Sequence, residues 1–166
     1  MSNLLPTAIL IIATLFQLTL SPYVKVNGVH PDLVLILVIG WTFLRGLRDG
    51  VIWALIAGLS LDFTSGAPFG LFTLSMLMVA LATSLFHGRL FGSSIILPLI
   101  LTFPLSLLFN GLALLLLNLA GRPIIWSDAF SVVLVPVAVF NTAMMLFVFP
   151  LLSWLNRWLH PQPLSI

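Results

Sequence analysis

A chain of 166 residues that is 61% hydrophobic and 6% charged, with a mean hydropathy of +1.24, has too few polar side chains to be a soluble globular domain. Its six basic residues face only four acids, none of them Glu, so the isoelectric point near 10.0 reflects scarce acids and not a nucleic-acid surface. Cysteine is absent, which excludes disulfides and thiolate metal sites. What remains is an all-α membrane protein, a single polytopic domain over residues 1–166.

A spanning helix needs about 20 apolar residues to cross roughly 30 Å of hydrocarbon. The first apolar run is Leu4–Leu20, closed by Ser21-Pro22. It lacks the basic flank and small-residue cleavage site of a signal peptide and is expected to persist as a helix. A polar link from Tyr23 to His30 follows. The second run, Asp32–Leu44, opens with Pro31, suited to a first helical turn, and with Asp32 near the positive end of the helix dipole. The third covers Gly50 to Phe63, and Thr64-Ser65-Gly66-Ala67-Pro68 is turn chemistry. The fourth is Phe69–His87. The fifth, Ile95–Leu119, carries Pro98 and Pro104, and the sixth, Ala129–Leu155, carries Pro136 and Pro150, so both are expected to kink or tilt. The pattern predicts six transmembrane helices in one bundle. Runs two and three are short, and a re-entrant hairpin is their rival. Its turn would bury Arg45, Arg48 and Asp49 at mid-depth, which favours two thin spanning helices.

Basic residues in short loops set the orientation. With the amino end inside, Arg45, Arg48, Arg89 and Arg157 fall on the inner face, and Lys25 and Arg122 on the outer. Both termini are therefore expected in the cytoplasm, with Trp154 and Trp158 in the inner aromatic belt and Trp126 in the outer one.

Three of the acids, Asp32, Asp49 and Asp62, lie between Pro31 and Gly70, where insertion into hydrocarbon costs about 2.5–3.5 kcal/mol per charge at a helix centre. Asp62 lies about 18 Å along its helix from Gly50 at 1.5 Å per residue. That places it at the depth of Asp32 on the neighbouring antiparallel helix. One reading is an outward-opening polar pocket or a partner contact formed by Asp32 and Asp62, with His30, Lys25 and Arg122 as counter-groups. The other makes Asp32 a solvated cap and Asp62 a cap of the loop through Thr64, Ser65 or backbone amides. Arg45, Arg48 and Asp49 read as anchors at the inner turn, each at the helix end its charge favours. Gly46 with Gly50, and Gly66 with Gly70, lie at turns, whereas Gly58 is the candidate for close helix contact. Asn110, Asn118, Asn141 and Gln17 read as interhelical hydrogen-bonding groups. His30 has no metal-ligand partner at useful spacing, and no metal or cofactor is expected. Zinc-protease, nucleophile-elbow and phosphate-loop motifs are missing, and Gly58-Leu59-Ser60-Leu61-Asp62 lacks the second glycine of an elbow, so catalysis is not expected.

The order Pro31-Asp32-Leu33, Arg45-Gly46, Asp49-Gly50, Gly58-Leu59-Ser60-Leu61-Asp62, Gly66-Ala67-Pro68-Phe69-Gly70 resembles the MreD family of rod shape-determining proteins. That family has a Pro-Asp heading its second helix, an Arg/Gly-rich inner turn, a Gly-Leu-x-x-Asp, and a Gly-x-Pro-x-Gly loop opening its fourth helix. Pro31, Arg45, Gly46, Asp49, Gly50, Gly58, Gly66, Pro68 and Gly70 are then family-motif structural positions. The chain departs from the family in its meagre basic tail, Arg157 and His160. The resemblance implies a non-enzymatic scaffold or adaptor of the cell-elongation machinery in the bacterial inner membrane, which helps organise lateral peptidoglycan synthesis. MreC would be its direct partner, with MreB, RodA and a class B penicillin-binding protein reached indirectly. It also implies a fold similar to the substrate-binding subunits of energy-coupling-factor transporters. A solute-binding subunit of an uptake transporter is the alternative, but the Ala-x-x-x-Ala docking pattern of such subunits is lacking, because Ala8 is followed four residues on by Ile12.

Overall fold

A computed structural model of the chain describes Ile12, residues 32–88 and residues 95–159. The run Leu4–Leu20 apart from Ile12, together with Gln17, Lys25, His30, Pro31, Arg89 and His160, lies outside the described residues.

Among the described residues from 32 onward, five helices follow in order: α1 (Leu33–Arg45), α2 (Leu47–Ser65), α3 (Leu71–Ser84), α4 (Ile96–Leu119) and α5, which runs from Trp126 to Leu159. The first is apolar on every face, and such a helix must be enclosed on every face. It is the centre of the fold. Val34, Leu35, Ile36, Val38 and Ile39 are fully buried, and α1 touches each of the other four helices, while α2, α3, α4 and α5 contact one another only in chain order among the described residues. At 13 residues it rises about 20 Å, less than a bilayer core.

α1 ends at Gly46, whose φ of 84° and ψ of −169° turn the chain in one residue. A side chain is strained at that φ, and a Cβ there would also meet the His87 ring at 2.9 Å. The sequence pattern starts the next helix at Gly50, but α2 begins at Leu47 because only Gly46 leaves helical geometry. Gly50 donates to the Gly46 carbonyl at 3.0 Å and is already helical. Its missing side chain serves packing, since a Cβ would collide with the Thr42 side chain. One turn further on, Trp41 of α1 stacks on Trp53 of α2 with centroids 4.7 Å apart and planes 8° from parallel. At 19 residues α2 rises about 28 Å.

Gly66 (φ 65°) and Gly70 (φ 93°) shape the link into α3. α4 carries Pro104 within its 24 residues. α5 opens with one turn, Trp126–Asp128, widens into a π-helical segment, Ala129–Leu134, and continues as a regular helix over Val135–Leu159. The Val135 amide bonds back to the Phe130 carbonyl, the five-residue spacing of a π turn, immediately before Pro136, which has no N–H to donate. α4 and α5 are each long and apolar enough to cross a membrane, while α1 and α3 are shorter apolar helices.

Candidate functional site

Alternating chain direction puts the start of α1, the end of α2, the start of α3, the end of α4 and the start of α5 at one end of the bundle. Asp62 lies toward that end, whereas Asp32, although it heads α1, meets α5 at Asn141, about 15 residues and some 22 Å in from Trp126. From Gly46, Asp32 lies fourteen residues back and Asp62 sixteen residues on, about 21 Å and 24 Å at 1.5 Å per residue.

Asp62 is the organising residue of this end. It is 5% exposed and its carboxylate accepts four hydrogen bonds. Oδ1 takes the Phe72 amide at 2.8 Å, and Oδ2 takes the Gly70 amide at 3.0 Å, the Thr73 amide at 3.2 Å and the Thr73 hydroxyl at 2.6 Å. Three of these donors are among the first amides of α3, which lack partners within their own helix. A negative charge at this terminus also sits at the positive end of the helix dipole. Asp62 therefore caps α3 from the neighbouring helix, although the residue at the cap position itself, Gly70, has no side chain to do so.

The same seam explains Gly58. One turn before Asp62, α2 runs so close to α3 that a Cβ on Gly58 would collide with the Thr73 backbone. Thr73 thus meets both motif residues, the glycine through its backbone and the acid through its amide and hydroxyl. Nothing in local sequence spacing marks it, because its partners lie across a loop. Thr64 and Ser65, the local partners considered from sequence, bond elsewhere: Thr64 Oγ1 donates to the Ser60 carbonyl at 2.8 Å, and Ser65 Oγ accepts from the Ala67 amide at 3.3 Å.

Asp32 is held differently. Its backbone N–H donates to Asn141 Oδ1 at 2.9 Å, and Asn141 Nδ2 donates to Ser106 Oγ at 2.7 Å. Asn141 and Ser106 are fully buried, so one amide side chain ties the start of α1 to α4 and α5. Ser106 carries no sequence signal for this role. Its carbonyl also accepts from Asn110 Nδ2 at 3.0 Å. Arg122 lies in the exposed link after α4, where its amide bonds the Leu117 carbonyl at 3.3 Å and helps close the helix. No side-chain bond joins it to Asp32 or Asp62.

Between α3 and α4 at this end lies an open, mainly apolar cleft of about 260 Å³, lined by Pro68, Phe69, Gly70, Leu71, Leu74 and Leu116. Phe69 stands exposed at its edge and meets Phe63 edge-on at a centroid distance of 5.2 Å. The Asp62 cap fixes the loop that forms one wall. At the opposite end, Arg45 Nε donates to Asp49 Oδ2 at 2.9 Å, one helical turn across the Gly46 corner. His87 Nδ1 lies 2.9 Å from the Phe43 carbonyl, which can only accept, so this nitrogen carries the proton and the ring closes an otherwise open end of α1. Among the described residues no cluster of His, Cys or acidic side chains could hold a metal ion.

The features that carry this arrangement are the residues of the sequence motifs: Arg45, Gly46, Asp49 and Gly50 at the one-residue corner, Gly58 and Asp62 at the α2–α3 seam, and Gly66, Pro68 and Gly70 in the capped loop. The model of the rod shape-determining protein MreD family matches residues 1–156. The chain belongs to the MreD family. No curated protein and no solved structure matches it. As an MreD-family member it is a bacterial membrane protein of the rod-shape machinery, and the family is a shape-determining one, not an enzyme family.

Proposed function

We propose that this MreD-family chain is a six-pass adaptor with both termini in the cytoplasm, and that it binds the single-span protein MreC through the apolar cleft between α3 and α4. MreB, RodA and a class B penicillin-binding protein are reached through that partner. The observation that carries the reading is the Asp62 cap. It spends a buried charge on fixing a loop and helix start whose outer side, with Phe69 and Leu74, is apolar and open. A buried carboxylate used in this way gives a rigid, preformed hydrocarbon surface, which suits an adaptor that seats a partner's transmembrane helix. In this reading Asp62 shapes the contact surface from beneath, while Asp32 anchors α1 deeper in the bundle through Asn141. An arrangement of six spans similar to energy-coupling-factor substrate-binding subunits belongs to the same proposal.

Filling the cleft tests it. Leu74→Trp and Leu116→Trp place a large side chain in the groove without adding charge. Co-purification of MreC from detergent-solubilised membranes is expected to fall at least fivefold in both variants while the chain's own level is unchanged. Full recovery of MreC with both variants would refute the cleft as the seat.

A further inference from the structure

The last turns of α5 present a patch that the adaptor reading does not use. Trp154 and Trp158 are 58% and 66% exposed, and Arg157 is exposed as well. Spacings of three and four residues put Trp154 next to both Arg157 and Trp158, with Arg157 on one side of it and Trp158 on the other. The face continues along α5 through Leu151 and Phe147, both strongly exposed. At about 100° per residue, Phe147, Leu151, Trp154 and Trp158 fall within roughly 60° of arc. From Phe147 to Trp158 the helix rises about 16 Å, close to half the hydrocarbon thickness of a bilayer.

Charge marks this face, and among the described residues the exposed Arg48 on α2 at the same end is likewise without an acid partner. α5 packs against α1 and α4. α4 contains no charged residue, and at this end of α1 the nearby charge, Arg45, is paired with Asp49 at 2.9 Å. No acid among the described residues pairs with Arg157. A guanidinium at the flank of an indole-bearing apolar rail one leaflet long, nearest to Trp154, matches the shape and charge of a phospholipid. The fork of an arginine binds phosphate oxygens bidentately, and tryptophan favours the headgroup level.

We infer that Trp154, Arg157 and Trp158 form a headgroup site for an anionic phospholipid, whose acyl chain lies along Leu151 and Phe147. The site rests on the reading that α5 crosses a bilayer. A partner helix on the same face would need an acid opposite Arg157, and hydrocarbon alone would leave that cation without a counter-charge, so an anionic lipid fits best.

The full chain, purified in detergent, is to be loaded with phosphatidylglycerol or phosphatidylcholine of matched acyl chains, and bound lipid measured by native mass spectrometry. The wild type is expected to retain phosphatidylglycerol preferentially. Arg157→Gln is expected to cut that retention about fivefold, the loss of one surface cation's attraction, with phosphatidylcholine unchanged. Arg157→Lys is expected to restore most of it, and Arg122→Gln, at the other end, to change nothing. No preference in the wild type, or an undiminished preference in Arg157→Gln, overturns the site. Failure of the membrane reading is separable from this, because the chain would then leave the membrane fraction in alkaline carbonate without detergent.

Discussion

Replacing Asp62 by Asn removes one carboxylate oxygen and the negative charge while leaving size and shape nearly intact. The four bonds determine the cost. If the amide oxygen takes the Oδ2 position, it keeps the Gly70 and Thr73 donors, but the amide nitrogen then faces the Phe72 N–H, which Oδ1 accepts at 2.8 Å in the wild type. One buried amide loses its acceptor, about 1–3 kcal/mol, and the helix start loses a favourable charge, about 0.3–1 kcal/mol. The sum is about 1.3–4 kcal/mol. Asp62→Ala abandons all four donors and should cost more, beyond the 0.5–2 kcal/mol of an ordinary exposed cap, because water reaches a 5% exposed site poorly. Equilibrium unfolding of the purified chain in mixed micelles with increasing dodecyl sulfate measures these values. Thr73→Ala supplies the second arm of a double-mutant cycle, with a coupling of at least about 1 kcal/mol expected. An Asp62→Asn variant within about 0.3 kcal/mol of wild type, or zero coupling to Thr73, would refute the cap as the role of this acid.

Gly58→Ala should drive α2 away from α3 at the Thr73 backbone, lowering unfolding free energy by about 1–3 kcal/mol in the same titration, and Gly58→Leu should prevent accumulation of the folded chain. Asn141→Leu leaves the Asp32 amide without its acceptor and the Ser106 hydroxyl without its donor. It should cost about 1–3 kcal/mol, read by unfolding, with Ser106→Ala alone costing less. Recovery of MreC should fall with Asp62→Asn, because the loop walling the cleft loosens, and stay unchanged with Asp49→Asn, whose pair with Arg45 lies at the far end. A reporter enzyme fused after Ile166 should be active in the cytoplasm and silent outside it, and the opposite result would reverse the orientation.

Composition and hydropathy are sufficient to specify a helical membrane protein, because a helix satisfies its backbone hydrogen bonds within one segment and the long unbroken apolar runs lack the short polar–apolar alternation of a barrel strand. The motif order is sufficient to indicate the family, and the glycines at 46, 66 and 70 mark turns that their positive φ values require. The start of α2 is less legible, since a Gly-Arg-Asp-rich stretch reads as a loop until it is seen that a single residue makes the corner. Asp62 shows the same limit more sharply. From sequence it is an expensive charge open to two readings, a pocket group or a cap, and its donors lie eight to eleven residues away across a loop. Which amides a carboxylate reaches depends on how two helices cross, and that crossing depends in turn on the missing side chain of Gly58. The identity of the central helix is likewise a tertiary outcome. Several runs are uniformly apolar, and only packing determines that the shortest of them, α1, is the one surrounded by the rest.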